Sequence, residues 1–77
     1  MKAYEEIVEF IAAGTNPSSI ISFHPSEEVK ERVSNLIFRE KNEELAEDER
    51  EELDRYLQLE HIMRLAKARA RKYLINE

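Results

Sequence analysis

The residues of this chain with the clearest capacity for chemistry are its two histidines, His24 and His61, and its 17 carboxylates. Glu60 directly precedes His61, and carboxylates and imidazoles are common metal ligands. Neighbouring residues on a helix point about 100° apart, so this pair cannot bind one ion from the same helix. The carboxylate–histidine spacing of helical dimetal sites would need an acid at position 58, where the sequence has Gln58. We therefore predict no metal site.

The sequence also lacks the residues that other common catalytic sites require. It has no cysteine and a single glycine, which excludes a thiol nucleophile, a thiolate zinc site and a glycine-rich phosphate loop. No Ser–His–Asp arrangement is recognisable. We therefore predict a protein that is not an enzyme and uses no cofactor. Because it has no cysteine, no signal-like apolar run and no segment long enough for a membrane, we predict a cytoplasmic protein.

Basic residues are concentrated near the C-terminus, at Arg64, Lys67, Arg69, Arg71 and Lys72. The net charge is −5, but residues 61–77 carry 5 basic side chains and 1 acidic one. Such a cluster can contact nucleic-acid phosphates or an acidic partner surface. A simpler interpretation is that bases at the end of a helix complement its dipole, and the two interpretations are compatible.

These bases belong to the longest predicted element, a helix over residues 45–74. At about 1.5 Å per residue it is a rod of about 45 Å, which a small chain cannot easily cover. An apolar seam follows it at spacings of three and four: Tyr56, Leu59, Met63, Ala66, Ala70 and Tyr73. Leu65 projects away from the seam, so the helix is apolar on more than one side. We predict a homo-oligomer, a bound protein partner, or both.

Two shorter helices are predicted before the long one. Residues 2–13 form an amphipathic helix that Gly14 ends, and a second helix begins after Ser26 as its N-cap and runs to about residue 40. A break is expected at residues 41–44. We therefore predict an all-α fold in one small domain (1–77). Its parts are an N-terminal helix (1–14), an extended linker or short strand (15–25), and a helical hairpin with a long C-terminal helix (26–74).

The linker is the least helical part of the sequence. Residues 20–24 are β-branched and aromatic, with Ile21 and Phe23 on one side, which favours a short strand or an extended arm. Asn16 and Pro17 offer an alternative, because Asn16 can cap a helical turn that begins at Pro17. A strand here would pair with a second copy or with another protein.

A strand followed by a helix at Ser26 is similar to the start of ribbon–helix–helix repressors, whose paired strands enter the major groove of DNA. Such ribbons usually present Arg, Lys, Gln or Asn to the bases. Here the groove face would carry only Ser22 and His24. DNA binding through this element is therefore an alternative and not our main prediction.

Several stretches of the sequence together form a characteristic pattern. They are Phe23-His24-Pro25-Ser26, Leu36-Ile37-Phe38-Arg39-Glu40 and the run Leu59-Glu60-His61-Ile62-Met63-Arg64-Leu65-Ala66-Lys67-Ala68-Arg69-Ala70. In these residues the chain resembles short, uncharacterised bacterial proteins, common in cyanobacteria, that look like the antitoxin halves of toxin–antitoxin pairs. The resemblance covers residues 20–72. It implies a small toxin as partner, such as a nuclease with a basic active-site cleft, and it implies no catalytic residues.

We therefore predict a non-enzymatic interaction module of antitoxin type that neutralises its partner by occlusion. The predicted contacts are Ile21 and Phe23 in the linker and Tyr56, Leu59, Met63, Leu65, Ala66, Ala70 and Tyr73 on the long helix. The alternatives are a dimeric DNA-binding regulator, which would use the ribbon or the basic C-terminal residues, and a helical scaffold or adaptor subunit.

Overall fold

The computed structural model describes residues 2–42 and 44–75. These residues form four α-helices: α1 (Glu5–Ala12), α2 (Pro17–Ser22), α3 (Glu27–Asn42) and α4 (Glu47–Ile75). They contain no strand, which confirms the predicted all-α fold. None of the helices in this described part is both long and apolar enough to cross a membrane.

The 29-residue helix α4 is the axis of the molecule, which measures 49 × 22 × 19 Å. The shorter helices pack against α4 and form one main core with it. Its members are buried or half-buried apolar side chains from all four helices and from the residues next to α1 and α2: Ala3, Tyr4, Ile7, Phe10, Ile20, Phe23, Val29, Val33, Tyr56, Leu59 and Met63. A long helix in a small chain is thus covered on one side by the rest of that chain.

A second, smaller core lies where α3 and α4 form a hairpin. It contains Leu36, Leu45 and Leu53, with Val33 and Ile37 packed against them. Val33 also contacts the main core, so the two clusters are continuous.

Two ion pairs hold α3 against the first turns of α4. Arg32 donates to both carboxylate oxygens of Glu52, at 3.0 and 2.9 Å, and the backbone N–H of Ala3 donates to the same carboxylate at 2.9 Å. Arg39 donates to both oxygens of Glu49, at 2.6 and 2.8 Å. Guanidinium–carboxylate pairs with two parallel hydrogen bonds restrain the relative orientation of the two helices and also stabilise the contact between them.

The short strand or extended arm predicted for residues 20–24 is wrong for residues 20–22, because these belong to helix α2. Asn16 and Ser19 form a reciprocal capping box, with the side chain of each accepting the backbone N–H of the other at 2.9 and 3.0 Å. Pro17 at the first helical position has its φ angle already near the helical value. These local features outweigh the β-propensity of Ile20 and Ile21, and no strand is present among the described residues to pair with them.

Two other helix ends lie next to the capping residues that were predicted from the sequence. Gly14 has φ +94°, the left-handed conformation that lets the chain turn away after α1. Ser26 accepts the backbone N–H of Val29 at 3.3 Å in the first turn of α3. α3 ends at Asn42, within the break predicted at residues 41–44, although residue 43 lies outside the described residues.

Candidate protein-binding surfaces

The apolar seam of α4 is covered by the same chain as far as Ala70, whereas its last member, Tyr73, is exposed. Tyr56 and Met63 are each 6% exposed and Ala70 is 4% exposed, while Leu59 and Ala66 are half-buried. The partners of Tyr56 and Met63 include residues of α1 and α3. The cover that this seam requires therefore comes from within the chain, and these three buried side chains are not accessible to a second molecule.

The linker residues predicted as contacts also pack inward. Phe23 is half-buried against Phe10, with ring centroids 4.5 Å apart, and its carbonyl oxygen accepts the ammonium group of Lys67 at 2.6 Å. Ile21 is half-buried. Residues 20–23 thus fasten the N-terminal half of the chain to α4.

Several apolar side chains of α4 remain exposed outside the core, on more than one side of the helix. Leu65 and Tyr73, which were predicted as contacts, are 57% and 68% exposed. Leu57 and Ile62, which were not predicted as contacts, are 43% and 54% exposed, and Ile62 lies on the flank of the seam. The sequence signal for Leu57 was its projection away from the seam, together with Leu65.

A shallow cleft between α1 and α4 forms a second exposed apolar surface. It is lined by Tyr4, Val8, Arg55, Gln58 and Leu59. The guanidinium of Arg55 lies 5.8 Å from the centre of the Tyr4 ring, a distance compatible with a cation–π contact. We name this surface the α1–α4 cleft. Ile11 does not line it but follows Val8 by about one turn on the same side of α1.

A third surface is a shallow groove near the C-terminal half of α4. It is lined by residues of the loop before α2, of α2 itself and of α4: Thr15, Asn16, Pro17, Ile20, Ala66, Arg69, Ala70 and Tyr73. Of the predicted contact residues, it brings together Ala66, Ala70 and Tyr73.

The five basic residues in the C-terminal half of α4 do not form one free patch. Arg64 pairs with Glu60 at 2.6 Å, and Lys67 is bound to the carbonyl of Phe23. Arg69, Arg71 and Lys72 are exposed. Arg69 and Lys72 lie three residues apart on the outward side, whereas Arg71 projects about 100° away from Lys72.

The pKa shifts of Tyr56 and Glu52 arise from burial and from hydrogen bonds that hold the helices together. Burial raises the pKa of the Tyr56 hydroxyl, with smaller contributions from the negative charges of Glu60 and Glu6. The hydrogen bond from Arg32 lowers the pKa of Glu52, which is 4% exposed. Over residues 2–42 and 44–75, no group of three histidine or carboxylate side chains could hold a metal ion.

Comparison with known proteins identified no relative of this chain. No family model matches the chain, and neither a curated protein nor a solved structure matches it at a significant level.

Proposed function

We propose that this chain is a non-enzymatic, cytoplasmic protein-interaction module of antitoxin type, which binds a small toxin and neutralises it by occlusion. The observation that carries the proposal is the α1–α4 cleft, an exposed apolar surface in an acidic part of the molecule. The resemblance of residues 20–72 to antitoxin-like sequences supports the same proposal.

The apolar part of the cleft has the character of a binding surface. Val8 and Ile11 are 44% and 50% exposed, although they lie on an amphipathic helix whose other side is in the core. Leu59 and Tyr4 are half-buried at the floor of the cleft. Apolar side chains that adjoin one another on a rigid surface are typical of places where a partner removes them from water.

Charge around the cleft favours a basic partner, because Arg55, the base in its lining, is already paired with Glu51 at 2.6 Å. α1 carries Glu5, Glu6 and Glu9 and no basic residue. The carboxylate of Glu6 accepts the backbone N–H of Ser26 at 2.8 Å, which leaves Glu5 and Glu9 as the acids at the rim of α1. Acidic groups beside an apolar contact steer a partner with positive potential and fix its orientation. The active-site cleft of a nuclease has this positive potential, because it must bind phosphates.

The first test is genetic and biochemical together. The gene next to that of this chain should encode a small protein that stops growth when expressed alone, and co-expression of this chain should restore growth. The two proteins should co-purify in a fixed ratio. A harmless neighbour that does not co-purify would overturn the proposal.

The second test places the contact on the α1–α4 cleft. The double substitution Val8→Glu with Ile11→Glu should abolish both growth rescue and co-purification, because it puts two charges into an apolar contact. Phe38→Glu is the matched control, since Phe38 is an equally exposed apolar residue (60%) on α3. Loss of rescue in the control, or rescue by the cleft variant with normal helicity by circular dichroism, would exclude this surface.

A DNA-binding regulator is the competing function. The ribbon that it would insert into a major groove is helical here, so it would depend on the exposed bases Arg69, Arg71 and Lys72. Binding of duplex DNA with a steep salt dependence, in the absence of any toxin partner, would favour this function. Absence of both activities would favour a helical scaffold or adaptor.

A further inference from the structure

The outward side of α4 carries a second regular pattern besides the buried seam. Between residues 51 and 72, seven of its residues fall within an arc of about 80° at 100° per residue, and all seven are exposed: Glu51, Asp54, Gln58, Ile62, Leu65, Arg69 and Lys72. We name them the outer stripe. The cores that α1, α2 and α3 form with α4 contain none of these residues, and all of them stay exposed, with Arg69 at the edge of the groove beside α2.

Charge along the outer stripe is separated by sign. The two acids, Glu51 and Asp54, lie in its N-terminal part, and the two bases, Arg69 and Lys72, lie in its C-terminal part. The apolar pair between them, Ile62 and Leu65, is more than half exposed. A stripe with an apolar centre and opposite charges at its ends is complementary to itself when one copy is reversed.

The spacing makes this complementarity specific to one register. If two α4 helices lie antiparallel, with a two-fold axis between residues 61 and 62, Asp54 faces Arg69 and Glu51 faces Lys72 of the other copy. The two charge pairs share that midpoint, so a single register satisfies both. The same axis brings Ile62 of both copies to the centre and sets Leu65 opposite Gln58 of the other copy. A parallel pairing would instead set acids against acids and bases against bases.

We infer that the outer stripe is a self-association surface, on which a second copy of this chain packs with its α4 antiparallel. The contact is isologous, since each copy offers the same residues to the other. The stripe shares Gln58 with the α1–α4 cleft and none of the other residues that line that cleft, and the inference does not rest on the proposed toxin.

Charge reversal tests the pairing directly. The variant Glu51→Lys with Asp54→Lys has an all-basic stripe, and the variant Arg69→Glu with Lys72→Glu has an all-acidic one. Because two-fold symmetry repeats each pair, four attractive contacts become repulsive in each variant. We expect the dimer dissociation constant of each variant to rise about tenfold or more in sedimentation equilibrium at low salt.

Two further preparations make the test decisive. A mixture of the all-basic and all-acidic variants should form a heterodimer, and the chain that carries all four substitutions should return to the wild-type dissociation constant. Far-UV circular dichroism of each variant separates a loss of association from a loss of folding. A wild-type chain that stays monomeric at several hundred micromolar, or charge reversals that leave its mass unchanged, would overturn the inference.

The absence of native cysteine allows the orientation to be measured as well. In the antiparallel register, His61→Cys places two thiols beside the two-fold axis, and they should form a disulfide rapidly under mild oxidation. Glu47→Cys places two thiols 29 residues apart along the pair, about 44 Å at 1.5 Å per residue, and should not cross-link. Equal cross-linking at the two positions would contradict the antiparallel arrangement.

Discussion

At the scale of single residues, Glu52 is a buried charged group with several hydrogen-bond partners. Its carboxylate is 4% exposed and accepts hydrogen bonds from Arg32 and from the backbone of Ala3. It therefore joins the N-terminal segment, α3 and α4 at one point. A buried carboxylate is stable only when its oxygens are satisfied in this way.

We expect Glu52→Gln to destabilise the fold by about 1–3 kcal/mol, because it removes the charge from a buried, charge-assisted network and leaves donors without a matching acceptor. The cost stays below that of a fully buried pair because the Arg32 side chain is 38% exposed and can turn to water. Urea unfolding followed by circular dichroism measures the change. Glu51→Gln, in the same turn but exposed, should change the free energy of unfolding by less than about 0.5 kcal/mol. Equal effects would show that Glu52 is not a structural anchor.

The same carboxylate makes stability depend on pH. Hydrogen bonds from Arg32 and Arg39 lower the pKa values of Glu52 and Glu49 below the ordinary value of 4.5. As the pH falls, the unfolded chain therefore takes up protons before the folded chain does, and the free energy of unfolding decreases. The stabilisation is complete above the unfolded pKa and is lost as the pH falls through the lower, folded pKa values. Urea titrations between pH 7 and pH 3 should show this decline, and Glu52→Gln should reduce it. A wild-type stability that is flat down to pH 3 would contradict this assignment.

Sequence alone predicts the capping residues but not Glu52. Ser26 and Gly14 are recognisable because a cap depends on neighbours within a few residues. Glu52 belongs to an acidic run in which every member looks alike, and its role depends on Arg32, 20 residues earlier. The identity of the inward-facing acid is therefore set by how α3 packs on α4.

At the scale of elements, α2 shows local capping prevailing over strand propensity. Ile20, Ile21 and Phe23 favour a strand when considered alone. The capping box of Asn16 and Ser19 and the pre-set φ of Pro17 act over the same few residues and favour a helix. Packing then selects the helix, because it places Ile20 and Phe23 in the main core.

We predict that this box is energetically significant. Ser19→Ala removes one of the two reciprocal side chain–backbone bonds and should lower the free energy of unfolding by about 1 kcal/mol. Ser18→Ala is the control, since Ser18 is the exposed neighbour outside the box. Thermal unfolding by circular dichroism compares the two. If Ser18→Ala costs as much as Ser19→Ala, general helix propensity and not the cap determines the stability of α2.

α4 shows a different limit of sequence reasoning. The seam pattern correctly identifies an apolar face, and periodicity predicts burial, but periodicity does not say whose atoms cover that face. Here α1 and α3 cover Tyr56 and Met63 within the chain. The candidate surfaces are then the apolar residues that this core leaves outside, such as Ile62 and Val8. Their exposure follows from tertiary packing.

At the scale of the whole molecule, the two hydrophobic clusters form one cooperative unit. Val33 packs against both clusters. The carboxylate of Glu52 on α4 accepts the backbone N–H of Ala3, a member of the first cluster, and Glu52 directly precedes Leu53 of the second. A chain of 77 residues has about 4–12 kcal/mol of total stability, so neither cluster has enough of its own to persist when the other is lost.

This coupling predicts that damage to either cluster lowers the same transition. Met63→Ala in the main core and Leu36→Ala in the hairpin core should each cost about 2–4 kcal/mol, since both side chains are buried and each leaves a cavity. Both variants should retain a single urea transition with an unchanged slope, and hydrogen exchange should accelerate in α1 and α3 together. Leu65→Ala, on the exposed side of α4, should stay within about 0.5 kcal/mol of the wild-type monomer. Two separate transitions in Leu36→Ala, with the α1 amides still protected after the hairpin opens, would mean that the clusters fold independently. The partner-binding surface of α1 could then be retained in a chain whose hairpin is open.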